Sequence, residues 1–102
     1  MMTDLEITRL CAKAMGVRLR PDYPTPQYWA WWSAWSLYDP LHDDAQAMAL
    51  VKKLHLTLDS YSTGAFIVGS GWNEPFQQTE NSDLNRAICE CVATMQAAKG
   101  GA

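Results

Sequence analysis

The segment from Tyr28 to Tyr38 constrains this chain more than any other, because it is crowded with the largest side chain. Its sequence is YWAWWSAWSLY, and within seven residues it holds four tryptophans: Trp29, Trp31, Trp32 and Trp35. A buried tryptophan contributes a large apolar surface, but its indole N–H still needs a hydrogen-bond partner. Four such rings cannot all enter the core of a chain of 102 residues. Since large exposed apolar patches usually mark binding sites, the segment predicts a protein that binds.

The same segment is typical of a β-strand whose two faces are both aromatic. With a period of two, Trp29 and Trp31 share one face, while Tyr28, Ala30 and Trp32 share the other. We therefore expect one set of rings to lie toward the core and the other toward a surface or groove.

Length and charge limit the function classes. A chain of 102 residues, 48% hydrophobic and 19% charged, is expected to form one globular domain over residues 1–102. Its formal net charge of −3 argues against a partner that is duplex nucleic acid, because such proteins normally carry a basic stripe. Basic residues are concentrated near the start: Arg9, Lys13, Arg18 and Arg20.

The remaining composition indicates a cytoplasmic protein. The opening MMTDLEITRL has no apolar signal core, and no stretch reaches membrane-spanning length. We expect no membrane association. The three cysteines, Cys11, Cys89 and Cys91, are an odd number in helix-like segments, which predicts reduced structural thiols. Cys91 fits a buried helical stripe, and Cys89 is expected to be half-buried.

Three helices are predicted from periodicity and capping signals. The first spans about Asp4 to Met15, with Thr3 and Glu6 spaced as a capping box and Gly16 at the C-cap. The second begins after Pro40 with Asp43 or Asp44 as N-cap and ends near Leu54. The third begins after Ser82 or Asp83 and ends at Lys99.

Strands are predicted between the helices. Val17–Arg20 and the tryptophan-rich segment precede the second helix. Leu56–Tyr61 and Ala65–Val68 follow it as a hairpin, and Gly69, Gly71 and Pro75 then punctuate a loop or edge strand that carries Trp72 and Phe76. The predicted fold class is α+β, in the order α-β-β-α-β-β-α, with a small antiparallel sheet packed with three helices.

Three segments of the chain resemble a known family. They are TDLEITRLCAKAMG at the start, DPLHDDAQAMALVKKL in the middle and DLNRAICECVATMQAAK at the end. They are similar to the small phage and prophage proteins grouped as the phage "ABA sandwich" domain, most specifically in the central block, while the segment from Pro21 to Leu37 departs from the family pattern. The resemblance implies a phage accessory protein with an α/β/α sandwich-like fold, and it implies no established chemistry.

Three short motifs have a chemical and a structural interpretation. His42-Asp43-Asp44 is better explained by helix capping than by metal binding, since His55 lies thirteen residues on, about 20 Å away along a helix. Cys89-Glu90-Cys91 places its two thiols in different directions on a helix. Gly69-Ser70-Gly71 is followed by no lysine and no helix, unlike a phosphate loop. We therefore expect no enzyme activity, no metal and no cofactor.

A binding surface is the remaining functional hypothesis. Its candidate residues are Tyr28, Trp29, Trp31, Trp32, Trp35, Tyr38, Trp72, Arg18 and Arg20. The rings could stack on the base of a small nucleotide signal while the arginines meet its phosphates, or they could anchor a host defence protein. By analogy with other phage accessory genes, either would counter host antiviral defence in the infected cell. The alternative is a structural or assembly protein whose tryptophans form its core or a homodimer interface.

Overall fold

The computed structural model describes residues 2–16, 18–19, 28–31, 35–60, 62, 64–71 and 77–99, and of residues 18–19, 28–31 and 35–37 it describes the backbone. Three helices alternate with two groups of three strands. In chain order the elements are α1 (Asp4–Met15), β1 (Arg18–Leu19), β2 (Tyr28–Trp31), β3 (Trp35–Tyr38), α2 (Asp44–Leu54), β4 (Thr57–Ser60), β5 (Phe66–Gly69), β6 (Gln78–Asn81) and α3 (Leu84–Ala98). The predicted α+β class is confirmed.

The strands form two antiparallel sheets, with the orders β1-β2-β3 and β4-β5-β6. The predicted order was wrong, because each interval between helices contains three strands where two were expected. The tryptophan-rich segment supplies both β2 and β3. In the second sheet β6 was missed, since its sequence QTEN has none of the apolar alternation that predicts a strand.

Side-chain caps begin all three helices. The Thr3 hydroxyl accepts a hydrogen bond from the backbone N–H of Glu6 at 3.1 Å. The carboxylate of Asp43 accepts from the N–H of Gln46 at 3.1 Å, and Asp83 caps α3 in the same way. Gly16 ends α1 in the left-handed conformation at φ 70°. The predicted helix starts are thus confirmed. Of the candidates that the sequence offered, Asp43 caps α2 in place of Asp44, and Asp83 caps α3 in place of Ser82.

The core is built around α3, which packs against α1, α2, β5 and β6. Its fully buried residues are Ala87, Ile88, Cys89, Cys91, Val92, Ala93 and Met95. Cys89 is therefore completely buried, and the expectation of a half-buried side chain was wrong. A single apolar stripe on a helix predicts that one face of the helix is buried. Because several elements pack against α3, residues outside that stripe are buried as well.

In the described part of the chain, no helix is long and apolar enough to cross a membrane.

Candidate functional site

The first sheet brings an arginine position and two tryptophan positions into one row. Arg18 on β1 is the register partner of Trp31 on β2, and Trp31 is the partner of Trp35 on β3. The sequence predicts a strand over Val17–Arg20, and the structure places Arg18 in β1, paired with the tryptophan-rich strand β2. Directly opposite residues in antiparallel strands lie about 4.5–5.5 Å apart at Cα, so the row spans three neighbouring strands within a short distance.

A third tryptophan position, Trp29, belongs to the same face of the sheet. Positions two apart on a strand share a face, and so do register partners on neighbouring strands. Trp29 is two residues from Trp31 and pairs with Leu37. We call this set of register positions the tryptophan face: Arg18, Trp29, Trp31, Trp35 and Leu37.

The opposite face of this sheet belongs to the core. Tyr38 lies there by register, and its side chain is only 3% exposed within the hydrophobic core. Burial raises the pKa of its phenol. The prediction that Tyr38 belongs to an exposed binding surface was therefore wrong. Tyr28 is the register partner of Tyr38, so its position falls on the core side as well.

The structure describes the other predicted binding residues in part. For Arg18, Tyr28, Trp29, Trp31 and Trp35, strand and register are described. The positions of Arg20, Trp32 and Trp72 lie outside the described residues, together with the predicted edge segment that carries Trp72 and Phe76.

The acidic residues at the start of α2 form hydrogen bonds with other parts of the protein. Asp43 caps the helix, and Asp44 accepts a hydrogen bond of 2.7 Å from the amide of Asn85 on α3. His42 Nδ1 lies 2.9 Å from the Asp39 carboxylate. No group of three or more potential metal ligands is found in the described parts of the chain. Asp43 is thus the helix cap that the sequence predicts.

The three cysteines lie inside the protein, where each is fully buried. The Cys11 thiol donates a hydrogen bond of 3.5 Å to the backbone carbonyl of Cys89. A side-chain hydrogen bond with Cys89, together with burial, raises the pKa of Cys11 well above its ordinary value. Burial raises the pKa of Cys91 to about 11. Because the thiolate is the reactive form, Cys11 and Cys91 are poor nucleophiles at neutral pH.

Ser70 belongs to the segment Gly69-Ser70-Gly71, which was not expected to bind phosphate. It closes the loop that leads to β6. Its backbone N–H donates to the carbonyl of Gln77 at 2.8 Å, and its hydroxyl accepts from the N–H of Gln77 at 2.8 Å. Ser70 is fully buried. Its hydroxyl thus helps to hold the ends of the loop together.

No family model, no curated protein and no solved structure matches this chain. The resemblance to the phage "ABA sandwich" proteins therefore stays a prediction that rests on the three sequence segments.

Proposed function

We propose that this chain is a non-enzymatic binding protein and that the tryptophan face is its ligand surface. The observation that carries the proposal is the register of the first sheet. It groups Trp29, Trp31 and Trp35 on one face and leaves Tyr38 on the other, where it is buried. A sheet face that turns away from the core and is rich in tryptophan is an apolar patch of the kind that binds partners.

A small nucleotide is the ligand that this row of residues suits best. Stacking of a base on an aromatic ring contributes about 1–3 kcal/mol per base. The row continues from the two tryptophan positions to Arg18, and an arginine can form two parallel hydrogen bonds with a phosphate. One row therefore offers both stacking and charge, within a chain whose net charge of −3 does not favour long nucleic acids.

The biological role that we propose follows from the resemblance to phage accessory proteins. In the cytoplasm of an infected bacterium, the protein would sequester a nucleotide signal on which host antiviral defence depends. A host defence protein is the second candidate ligand, because tryptophan and arginine are also the commonest hot-spot residues of protein interfaces. Homodimerisation through the tryptophan face is the structural alternative.

The test is to identify what the protein carries when it is purified from a bacterium under native conditions. After denaturation, mass spectrometry should detect a nucleotide in the wild type and in the control variant Leu5→Ala, which changes a half-exposed leucine of α1. The double variant Arg18→Ala/Trp31→Ala should carry none while remaining folded by circular dichroism. Equal nucleotide content in all three proteins would contradict the proposal.

Two further measurements separate the alternatives. A tagged wild-type protein that retains a defence protein, lost in the double variant, would select the protein ligand. Light scattering that shows a dimer in the wild type and a monomer in the double variant would select the homodimer.

A further inference from the structure

A second surface, on the other sheet, carries exposed apolar side chains. Among the described residues, three large apolar side chains are more than a third exposed: Leu5 at 37%, Met48 at 37% and Leu58 at 41%. Met48 and Leu58 line two open clefts, of about 340 and 280 Å³, that meet at Leu84. The first cleft is also lined by Asp44, Asp83 and Asn85, and the second by Asp59, Ser60 and Phe66. Sequence reasoning placed no function here.

The clefts lie beside β4 because α3 packs against β5 and β6, the other two strands of the second sheet. Register places Leu58 opposite Val68 and Ser60 opposite Phe66, so these four positions share one face. Val68 is fully buried on that face, where α3 packs over β5 and β6. Leu58 lies one strand further out and remains 41% exposed. The apolar face of the sheet thus extends past the part against which α3 packs.

The outer edge of β4 is available for pairing. β4 is an edge strand of the sheet, and all four of its residues, Thr57 to Ser60, are exposed. No strand in the described part of the chain pairs with that edge. An open edge presents backbone N–H and C=O groups to which a further strand can bond, and many domains recognise extended peptides in this way.

Charge indicates what kind of strand would fit. Asp44, Asp59 and Asp83 line the two clefts, and the described lining contains no basic side chain. The nearby Arg86 is held by Asp4 at 3.0 Å and by Glu90 at 3.2 Å. A second copy of this chain would bring the same carboxylates to the contact, which like-charge repulsion disfavours. A basic segment is complementary to this edge.

We infer that the open edge of β4 is a docking site for an extended segment of a partner protein in which apolar and basic residues alternate. Such a segment would add a fourth strand to the sheet. Because a strand alternates its faces, its apolar side chains would join Leu58 and Phe66 in the second cleft, beside Leu84. Its basic side chains would lie on the same face as Asp59.

The direct test is the binding of a fluorescein-labelled peptide of eight residues that alternates valine and lysine, followed by anisotropy. Leu58→Lys should weaken binding about tenfold or more, because it replaces the apolar anchor with a charge that repels the peptide. Leu5→Lys, a leucine of matched exposure on α1, should leave the affinity within about twofold. Asp59→Asn should weaken binding about threefold and reduce its salt dependence, whereas Glu6→Gln, another exposed carboxylate, should not.

Backbone pairing is tested with the same peptide methylated at alternate backbone nitrogens. Loss of binding on methylation, together with slower amide hydrogen exchange in β4 when the unmodified peptide is bound, would support strand addition. Equal binding of the methylated peptide, no binding of the unmodified one, or equal losses in Leu58→Lys and Leu5→Lys would overturn it. A dimer that depends on Leu58 would also overturn it in favour of a second copy. Trp31→Ala should bind the peptide normally, which separates this site from the tryptophan face.

Discussion

At the scale of single residues, the cysteines illustrate how burial decides reactivity. Cys11, Cys89 and Cys91 are all fully buried and free of disulfides. The thiol of Cys11 is also bonded to the backbone of Cys89, so it joins α1 to α3. These features assign the cysteines to packing, and labelling reagents should reach them only when the protein unfolds.

The raised thiol pKa values predict that stability falls at alkaline pH. In the unfolded chain Cys91 releases its proton near its ordinary value of 9.0, whereas in the folded protein it does so at about 11. Its contribution to stability is therefore complete below pH 9 and is lost as the pH rises toward 11, where the unfolded state binds fewer protons. Urea unfolding at pH 7, 9, 10 and 11 should show this fall, and Cys91→Ala should make it smaller. A pH dependence that is identical in the two proteins would refute the assignment.

Gly71 occupies a position that no other residue can take without movement. Its φ is +63°, and a Cβ there would lie 2.7 Å from the carbonyl oxygen of His55. Gly64 has a φ of +93°, but a Cβ there meets nothing within 4 Å. We expect Gly64→Ala to cost about 1–2 kcal/mol through backbone strain alone. Gly71→Ala should cost about 1–3 kcal/mol more through the clash. Equal losses in denaturant unfolding would show that the close approach does not matter.

At the scale of elements, Asp43 tests how much a side-chain cap contributes to the stability of α2. Its carboxylate caps α2, so Asp43→Ala should lower the free energy of unfolding by about 0.5–2 kcal/mol. Asp43→Asn should retain most of the stability, because asparagine caps equally well. Chelators should change neither result. Stoichiometric zinc or manganese in the native protein would instead favour a metal site.

The sequence predicts the elements whose signals lie within a few neighbouring residues. It does not predict those that depend on pairing with another strand. The caps Thr3, Asp43 and Asp83 act within one helical turn, so short spacing is enough to find them. β6 is polar and exists because it pairs with β5 and connects to Ser70 through Gln77. Nothing in its own four residues carries that information.

The candidate site was predictable in part for the same reason. Alternation alone separates Trp29 and Trp31 from Tyr28. It cannot tell which face turns toward the core, because that depends on how the whole sheet packs. The burial of Tyr38 places the face that it shares with Tyr28 on the core side, and the sequence alone does not indicate this. The row from Arg18 to Trp35 also requires the register of three strands.

At the scale of the whole molecule, α3 organises the fold, and its small residues set how closely the other elements approach it. Ala87 and Ala93 are fully buried. Ala93→Leu should lower the free energy of unfolding by about 1–3 kcal/mol, because a packed core cannot absorb the added volume. Arg86→Ala removes two partly exposed ion pairs and should cost at most about 1 kcal/mol. Thermal unfolding of both variants checks this ranking, and a larger loss in Arg86→Ala would contradict a fold dominated by core packing.

The proposed function requires that the tryptophan face turn away from the core, and the fluorescence of a single tryptophan reports on this orientation. A variant that keeps Trp31 and replaces Trp29, Trp32, Trp35 and Trp72 with phenylalanine reports on the middle of the row alone. After its fold has been checked by circular dichroism, its fluorescence is titrated with acrylamide. We expect strong quenching and emission near that of free tryptophan in water. Blue-shifted emission that acrylamide does not quench until the protein unfolds would place Trp31 in the interior and contradict the proposed orientation of the tryptophan face.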